Sequence, residues 1–224
     1  MNQDSSQIIK PQGVRIAVLV PAYNEERNIR RNIRFIRDNF DEIDQIVVIN
    51  DGSEDRTADI VREEYGVDLV DLKQNVGKGG ALRAGLKATN AEIILLLDAD
   101  LVGLTREHVA ALLAPVLDGR AQTTMGVFTE GRFMTDLAQK VAPQLSGQRA
   151  IRRELLEGAH MDDARYGVEV AINRHLEERG VAIHEVELPN VSQIVKEEKY
   201  GVVQGFKKRL NMYYEVFKTM LTGQ

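Results

Sequence analysis

Ile93-Ile94-Leu95-Leu96-Leu97-Asp98-Ala99-Asp100 is the stretch on which the reading of this chain turns. Five large apolar residues in succession suit a strand covered on both faces, as in a parallel sheet. Two carboxylates follow where that strand ends. At i and i+2, Asp98 and Asp100 can reach one point if the chain turns there. Such a pair suits a hard divalent cation, which takes oxygen ligands and often shares them with substrate phosphates. A solvated strand end beside a helix cap would carry the same residues.

Upstream, strand and helix signals alternate. Residues 14–20 form an apolar run ended by Pro21. Asn24 is the predicted N-cap of a helix with Glu25 and Glu26 in its first turn, where the helix dipole favours acids. Ile29, Ile33, Ile36 and Phe40 then recur at helical spacing. Residues 46–49 read as a second strand closed by Asn50-Asp51-Gly52, and Asp55 can cap a helix carrying Ile60, Val61 and Tyr65. Residues 67–72 read as a third strand, after which a glycine loop leads into a helix over 81–88. This alternation predicts an α/β protein with a mostly parallel sheet. Open sheets of this kind bind ligands outside the carboxyl ends of their strands. The polar clusters at Pro21 to Glu25, Asp51 to Ser53, Gly77 to Gly80 and Asp98 to Asp100 all fall there.

Downstream, the pattern predicts a helix over 105–117, a strand over 123–128 ending at Glu130-Gly131-Arg132, and helices over 133–141, 149–157 and 165–179. A strand over 181–188 follows, and this half is expected to add an antiparallel extension and the acceptor pocket. Over 200–221, Val203, Phe206, Leu210, Tyr213, Phe217 and Met220 recur in steps of three and four, flanked by Lys207, Lys208 and Arg209. An amphipathic helix of this kind can pack on the body, form a homodimer seam or lie on a membrane surface.

The chain has 224 residues, of which 43% are apolar and 28% charged, ordinary for one globular domain. The expected organisation is a disordered tail over 1–13 and one domain over 14–224. That domain divides into a half over 14–100 that carries the four polar clusters, a second half over 101–199 and the terminal helix over 200–221. A net charge of -5 and an aromatic content of 5% disfavour nucleic acid as a partner. Cysteine is absent, and none of the four histidines forms a close zinc pair. The N-terminal segment lacks the apolar core of a signal peptide, and no window has the roughly 18 apolar residues that span a bilayer. A cytoplasmic protein, free or attached to a membrane surface, is expected.

Asn75-Val76-Gly77-Lys78-Gly79-Gly80-Ala81 could cradle a phosphate through glycine backbone, the N–H groups of the following helix and the Lys78 charge. It is neither a Walker A loop nor a dinucleotide fingerprint, and a structural turn is the competing reading. Asp51-Gly52 is a strong turn signal, although Asp51 could also bond a base edge or ribose. Gly131-Arg132 and the group Arg149, Arg152 and Arg153 could meet an anionic acceptor, or the latter could be a solvated helix face. The arginines of the first helix (Arg27, Arg30, Arg31, Arg34, Arg37) read as surface.

Taken in order, Val20-Pro21-Ala22-Tyr23-Asn24-Glu25-Glu26, Asn50-Asp51-Gly52-Ser53-Glu54-Asp55, Asn75 to Ala81 and Asp98-Ala99-Asp100 resemble the family 2 glycosyltransferases. The resemblance implies the GT-A fold, a Rossmann-like mostly parallel sheet with helices on both faces. It also implies a nucleotide-sugar donor with Mg²⁺ or Mn²⁺. By that resemblance Pro21, Ala22, Tyr23 and Glu25 would line the nucleoside, and Asp51 would contact the base. Gly77 and Lys78 would contact the donor, Asp98 and Ala99 the ribose, and Asp100 would hold the metal.

The second half resembles the glucosyl-3-phosphoglycerate synthases. Gly131-Arg132 falls at their G-R-x-T acceptor element, Leu145-Ser146-Gly147-Gln148 at their loop near the sugar, and Tyr166-Gly167-Val168-Glu169 at their Y-G-V-E. Met134 stands at the threonine place with Thr135 adjacent, and Gln193 stands where those relatives have a metal-binding histidine. A glutamine carbonyl can ligate a hard cation, and His160, in a loop with Asp162 and Asp163, is an alternative ligand. The implied sets are Asp100, Glu169 and Asp163 for catalysis, with Gly147 and Tyr166 added to the donor site. Gly131, Arg132, Thr135 and Arg149 would bind the acceptor, and Asp100, Gln193 and His160 the metal.

The resulting expectation is metal-dependent transfer of a sugar, glucose from UDP-glucose, to a small phosphorylated or polyprenyl-phosphate acceptor. An inverting enzyme would need a base near the acceptor hydroxyl, for which Asp162, Asp163 and Glu169 are the candidates. A retaining enzyme would not, and the Y-G-V-E resemblance leans that way. Two other readings stand beside it. A non-catalytic nucleotide-sugar binding protein is motivated by Gln193. A sugar-1-phosphate nucleotidyltransferase would share a similar core but lacks its usual G-x-G-T-R-x.

Overall fold

The apolar runs of the first half become strands wherever β-branched and leucine side chains alternate between two helix layers. A computed structural model of the chain describes residues 7–128, 146–161 and 167–193. The expected helices over 133–141 and 200–221, and the site candidates Gly131, Arg132, Thr135, Asp162, Asp163 and Tyr166, lie outside these residues.

The elements run β1 (Ile16–Ala22), α1 (Ile29–Asn39), β2 (Gln45–Asp51), α2 (Thr57–Arg62), β3 (Asp68–Leu72), α3 (Gly77–Lys87) and β4 (Ile93–Leu96). Then come β5 (Leu101–Val102), α4 (Arg106–Leu117), β6 (Thr124–Val127) and β7 (Arg149–Arg152). α5 (Arg153–Glu157), α6 (Val168–Glu178), β8 (His184–Glu187) and β9 (Ser192–Gln193) complete the described chain. The main sheet has the order β3-β2-β1-β4-β7. Its first four strands are parallel and β7 runs antiparallel to β4. The chain therefore reverses its direction of winding between β1 and β4, the place where open α/β sheets leave a crevice.

Period-two alternation divides the strands between two cores. Val18, Val20, Val48 and Leu95 pack with α1 and α4, whereas Leu19, Ile49, Ile94 and Leu96 pack with α3, α5 and α6. Each fully buried Leu or Ile contributes roughly 1.5–3 kcal/mol. Among the described residues no helix is long and apolar enough to cross a membrane.

Several expectations are corrected. Asn24 is not an N-cap: it takes the left-handed conformation at φ 55°, and α1 begins later, after Asn28. Its N–H donates to Ser53 Oγ and its Oδ1 accepts from the Glu54 N–H, which stitches the β1–α1 and β2–α2 loops together. The glycine run is not a loop before a helix but the first turn of α3 itself. Arg149–Arg152 is a strand rather than the start of a helix, because pairing with β4 captures it. Residues 7–13 are not a free tail, since Ile8 is buried in the core and Lys10 pairs with Asp44 at 2.9 Å. β7 bears out an antiparallel extension, and β5 pairs antiparallel with β9, but β6 and β8 pair in parallel.

The arginines of α1 are tied down rather than loose. Arg30, Arg34 and Arg37 all bond the buried Glu64 carboxylate, which joins α1 to the end of α2. Arg34 first, then Arg37 and Arg30, hold the Glu64 carboxyl below its ordinary 4.5 against the opposing pull of burial. Because the folded value lies below the unfolded one, this stabilisation is complete above about pH 4.5 and is lost as the pH falls through the folded value. Glu64→Gln is expected to cost roughly 2 kcal/mol at neutral pH and to flatten the loss of stability below about pH 4.5. Urea unfolding of both proteins across that range checks it.

Candidate active site

The crevice at the carboxyl ends of β1 and β4 is built around one cation. Lys78, the second residue of α3, donates from Nζ to Asp98 Oδ1 and to Glu169 Oε1, each at 2.6 Å. Asp98 follows β4 and Glu169 occupies the first turn of α6, so three elements meet at this ammonium. Gln148 Nε2 donates to the other Asp98 oxygen at 3.0 Å. Burial works against the Lys78 charge, but Asp98 and Glu169 outweigh it and hold the ammonium above the usual lysine range. Gly147 permits this packing: a Cβ there would lie 2.5 Å from Lys78 Nζ and 3.0 Å from both Asp98 oxygens.

The turn carrying Asp98, Ala99 and Asp100 is held from α1. Asn32 Nδ2 donates to the Ala99 carbonyl at 2.5 Å, and Arg31 Nη2 to the Leu101 carbonyl at 2.9 Å. Asp100 is half-buried beside the start of β5. Register pairs Leu101 with Gln193, so the backbone of Gln193 lies across from the residue that follows Asp100. Gly103, at φ 82°, has no room for a Cβ against the Asn190 carbonyl, and this close approach fixes the strand pair.

Asp51 occupies part of the candidate phosphate cradle. Its Oδ1 accepts from the Val76 N–H at 2.7 Å and its Oδ2 from the Gly77 N–H at 3.0 Å. The N–H groups of Val76 and of Gly77, where α3 begins, are thus taken by a buried carboxylate that complements the helix dipole. Gly77, at φ 85°, supplies the backbone bend this needs. Gly52, at φ 66°, lets the β2–α2 loop press on the backbone of Gln74 and Asn75.

Pro21 and Tyr23 are half-exposed at the end of β1, whereas Ala22 is buried. Glu25 is buried, accepts from Asn28 Nδ2 at 3.1 Å and donates its own N–H to Thr57 Oγ1 at 2.8 Å. Arg149 is not on a solvated helix face but fully buried at the start of β7. His160 is exposed. Among the described residues no group of three or more His, Asp or Glu is placed to hold a metal ion, so Asp100 and His160 are not gathered into a protein-only site. A hard cation that draws its remaining oxygens from a diphosphate and water needs only one or two carboxylates, and Asp100 fits that demand.

Sequence reasoning missed Asn32, Arg31 and Thr57 as supports of the site. Their partners lie 67, 70 and 32 residues away, and nothing local marks such pairings.

Comparison with known proteins agrees with this geometry. The profile of glycosyl transferase family 2 matches residues 17–168. A dolichyl-phosphate beta-glucosyltransferase, ALG5A, of Trichomonas vaginalis is 30% identical over 65% of this chain and 52% of its own length. The glucosyl-3-phosphoglycerate synthase of Mycobacterium tuberculosis is 30% identical over 71% of this chain and 60% of its own. The chain thus spans between half and three-fifths of these relatives. A crystal structure of that synthase with Mn²⁺, UDP and glucosyl-3-phosphoglycerate superposes with a TM-score of 0.77. That match has 29% identity and covers 94% of this chain and 80% of the other.

The ion-pair geometry makes a prediction of its own. Lys78→Met leaves two carboxylates in the crevice without their shared cation and is expected to cost roughly 3 kcal/mol of stability at neutral pH. Lys78→Arg, which keeps the charge, should cost less. Chemical denaturation of the three proteins checks the order.

Proposed function

The chain belongs to glycosyl transferase family 2, and on that premise we propose that it moves a sugar, glucose from UDP-glucose, onto a phosphate-bearing acceptor. The observation that carries this reading is the convergence of Lys78, Asp98 and Glu169 at the switch point of the sheet, two residues from Asp100. A solved relative holds Mn²⁺, UDP-glucose and phosphoglyceric acid, and another complex of it holds glycerol 3-phosphate. These compounds and the dolichyl phosphate in the name of the other relative share a phosphate on the acceptor, which supports the acceptor class.

The chain's own groups suit the task. The nucleoside would lie over Pro21, Tyr23 and the β1–α1 loop, at the carboxyl end of β1. Asp51 serves the site by anchoring α3, and so places Lys78. Lys78 is a fixed positive charge where a departing diphosphate would gain negative charge. Asp100, with oxygens of the diphosphate and water, would hold Mg²⁺ or Mn²⁺, which when bound supplies further neutralisation of that leaving group. Glu169 shares the Lys78 ammonium with Asp98. By their resemblance to the synthases, Gly131, Arg132 and Thr135 would border the acceptor and Tyr166 the donor.

Calorimetry with UDP and Mn²⁺ tests the donor site. Binding is expected in the presence of Mn²⁺ and should weaken at least about tenfold in Asp100→Asn, a difference of about 1.4 kcal/mol. Turnover of UDP-glucose should appear with 3-phosphoglycerate, glycerol 3-phosphate or a polyprenyl phosphate. No binding and no turnover across that panel would sink the proposal. Binding without turnover would favour a non-catalytic nucleotide-sugar protein instead.

A further inference from the structure

We propose that Arg149 is a positioning residue for the Lys78–Glu169 pair, acting through the turn of α6 that carries Glu169 and Asn173. It rests on the glycosyltransferase reading only in the use made of Lys78. Arg149 opens β7 opposite Leu96, so its side chain starts beside the end of β4. It is fully buried. A buried guanidinium is costly unless it is paired and bonded, and it has five N–H groups to satisfy. Nη2 donates to Asn173 Oδ1 at 2.7 Å and touches Met125 Sδ at 3.5 Å. Nη1 has no hydrogen-bond partner among the described residues.

Packing alone does not explain such a side chain. Ile151, two residues on along the same strand, fills the same core with hydrocarbon. What distinguishes position 149 is its electrostatic surroundings. Burial pulls the guanidinium down to about 10, and the charge of Glu169 opposes that fall. Glu169 and Asn173 are separated by one helical turn and share a face of α6. One guanidinium therefore bonds the second of these residues and attracts the first. Charges then alternate across the crevice: Asp98, Lys78, Glu169, Arg149. Without Arg149, two carboxylates would compete for one ammonium, and Asn173 would lose this link between α6 and β7.

The test reads Lys78 directly and needs no substrate. The protein is made with ¹⁵N-labelled lysine, and the Lys78 ammonium signal is identified by its loss in Lys78→Arg. In Arg149→Met that signal is expected to move or broaden beyond detection, while Ile151→Val, a change of the same strand without a change of charge, leaves it in place. An unmoved signal in a folded Arg149→Met protein overturns the proposal, as does an equal movement in Ile151→Val. If Arg149→Met does not fold, Asn173→Ala is read in its place: movement supports the coupling and no movement overturns it. Calorimetry of the unmodified protein with UDP and Mn²⁺ runs alongside. Its failure would defeat the donor reading without touching the Lys78 signal.

Discussion

The ammonium of Lys78 holds together parts of the chain that lie far apart in sequence. Asp98 is 20 residues away and Glu169 is 91. Charged groups at this depth gain little over water unless their partners are close and correctly oriented. The rest of the crevice serves that condition. α3 is anchored by Asp51 from β2, the Asp98 turn is held by Asn32 and Arg31 from α1, and Gly147 leaves space for the pair to meet. The outcome is a cation already in place before any ligand arrives, which is how a site stabilises charge without reorganising.

Most of the strand framework was legible because it rests on local physics. Ile93 to Leu97 suits a strand covered on both sides, and the alternation of apolar runs with helical spacing led to a parallel sheet. The match of that framework to the solved synthase follows. Errors arose where a distant partner decides a local conformation. Glu25 and Glu26 look like a first helical turn, yet the chain there is held by Ser53 and Thr57. Glycines in series look like a loop, yet Asp51 caps them as a helix. Arg149 to Leu156 has charged and apolar residues at mixed spacing, and only the exposed backbone of β4 makes its first part a strand.

The candidate site was legible as a set of residue types but not as a set of roles. Lys78, Asp98 and Glu169 were each singled out, and their direct contact could not be read from spacing. Asp51 was expected to face a base, and its two oxygens are engaged by the backbone of α3. Arg149 was expected at an acceptor, and it is sealed beneath the surface. Both side chains bond groups of the protein itself, which composition cannot distinguish from contact with a ligand.

The outer strand of the main sheet carries a different consequence. β3 is short, and Asp68 and Asp71, three positions apart, point to opposite sides of it. Both are already engaged, Asp68 by Gln45 and Asp71 by Asn50 and Arg62. Another polypeptide adding itself along this border would have to strip water from carboxylates above and below the ladder at once. Acids on both faces of this border disfavour backbone pairing with another chain along it.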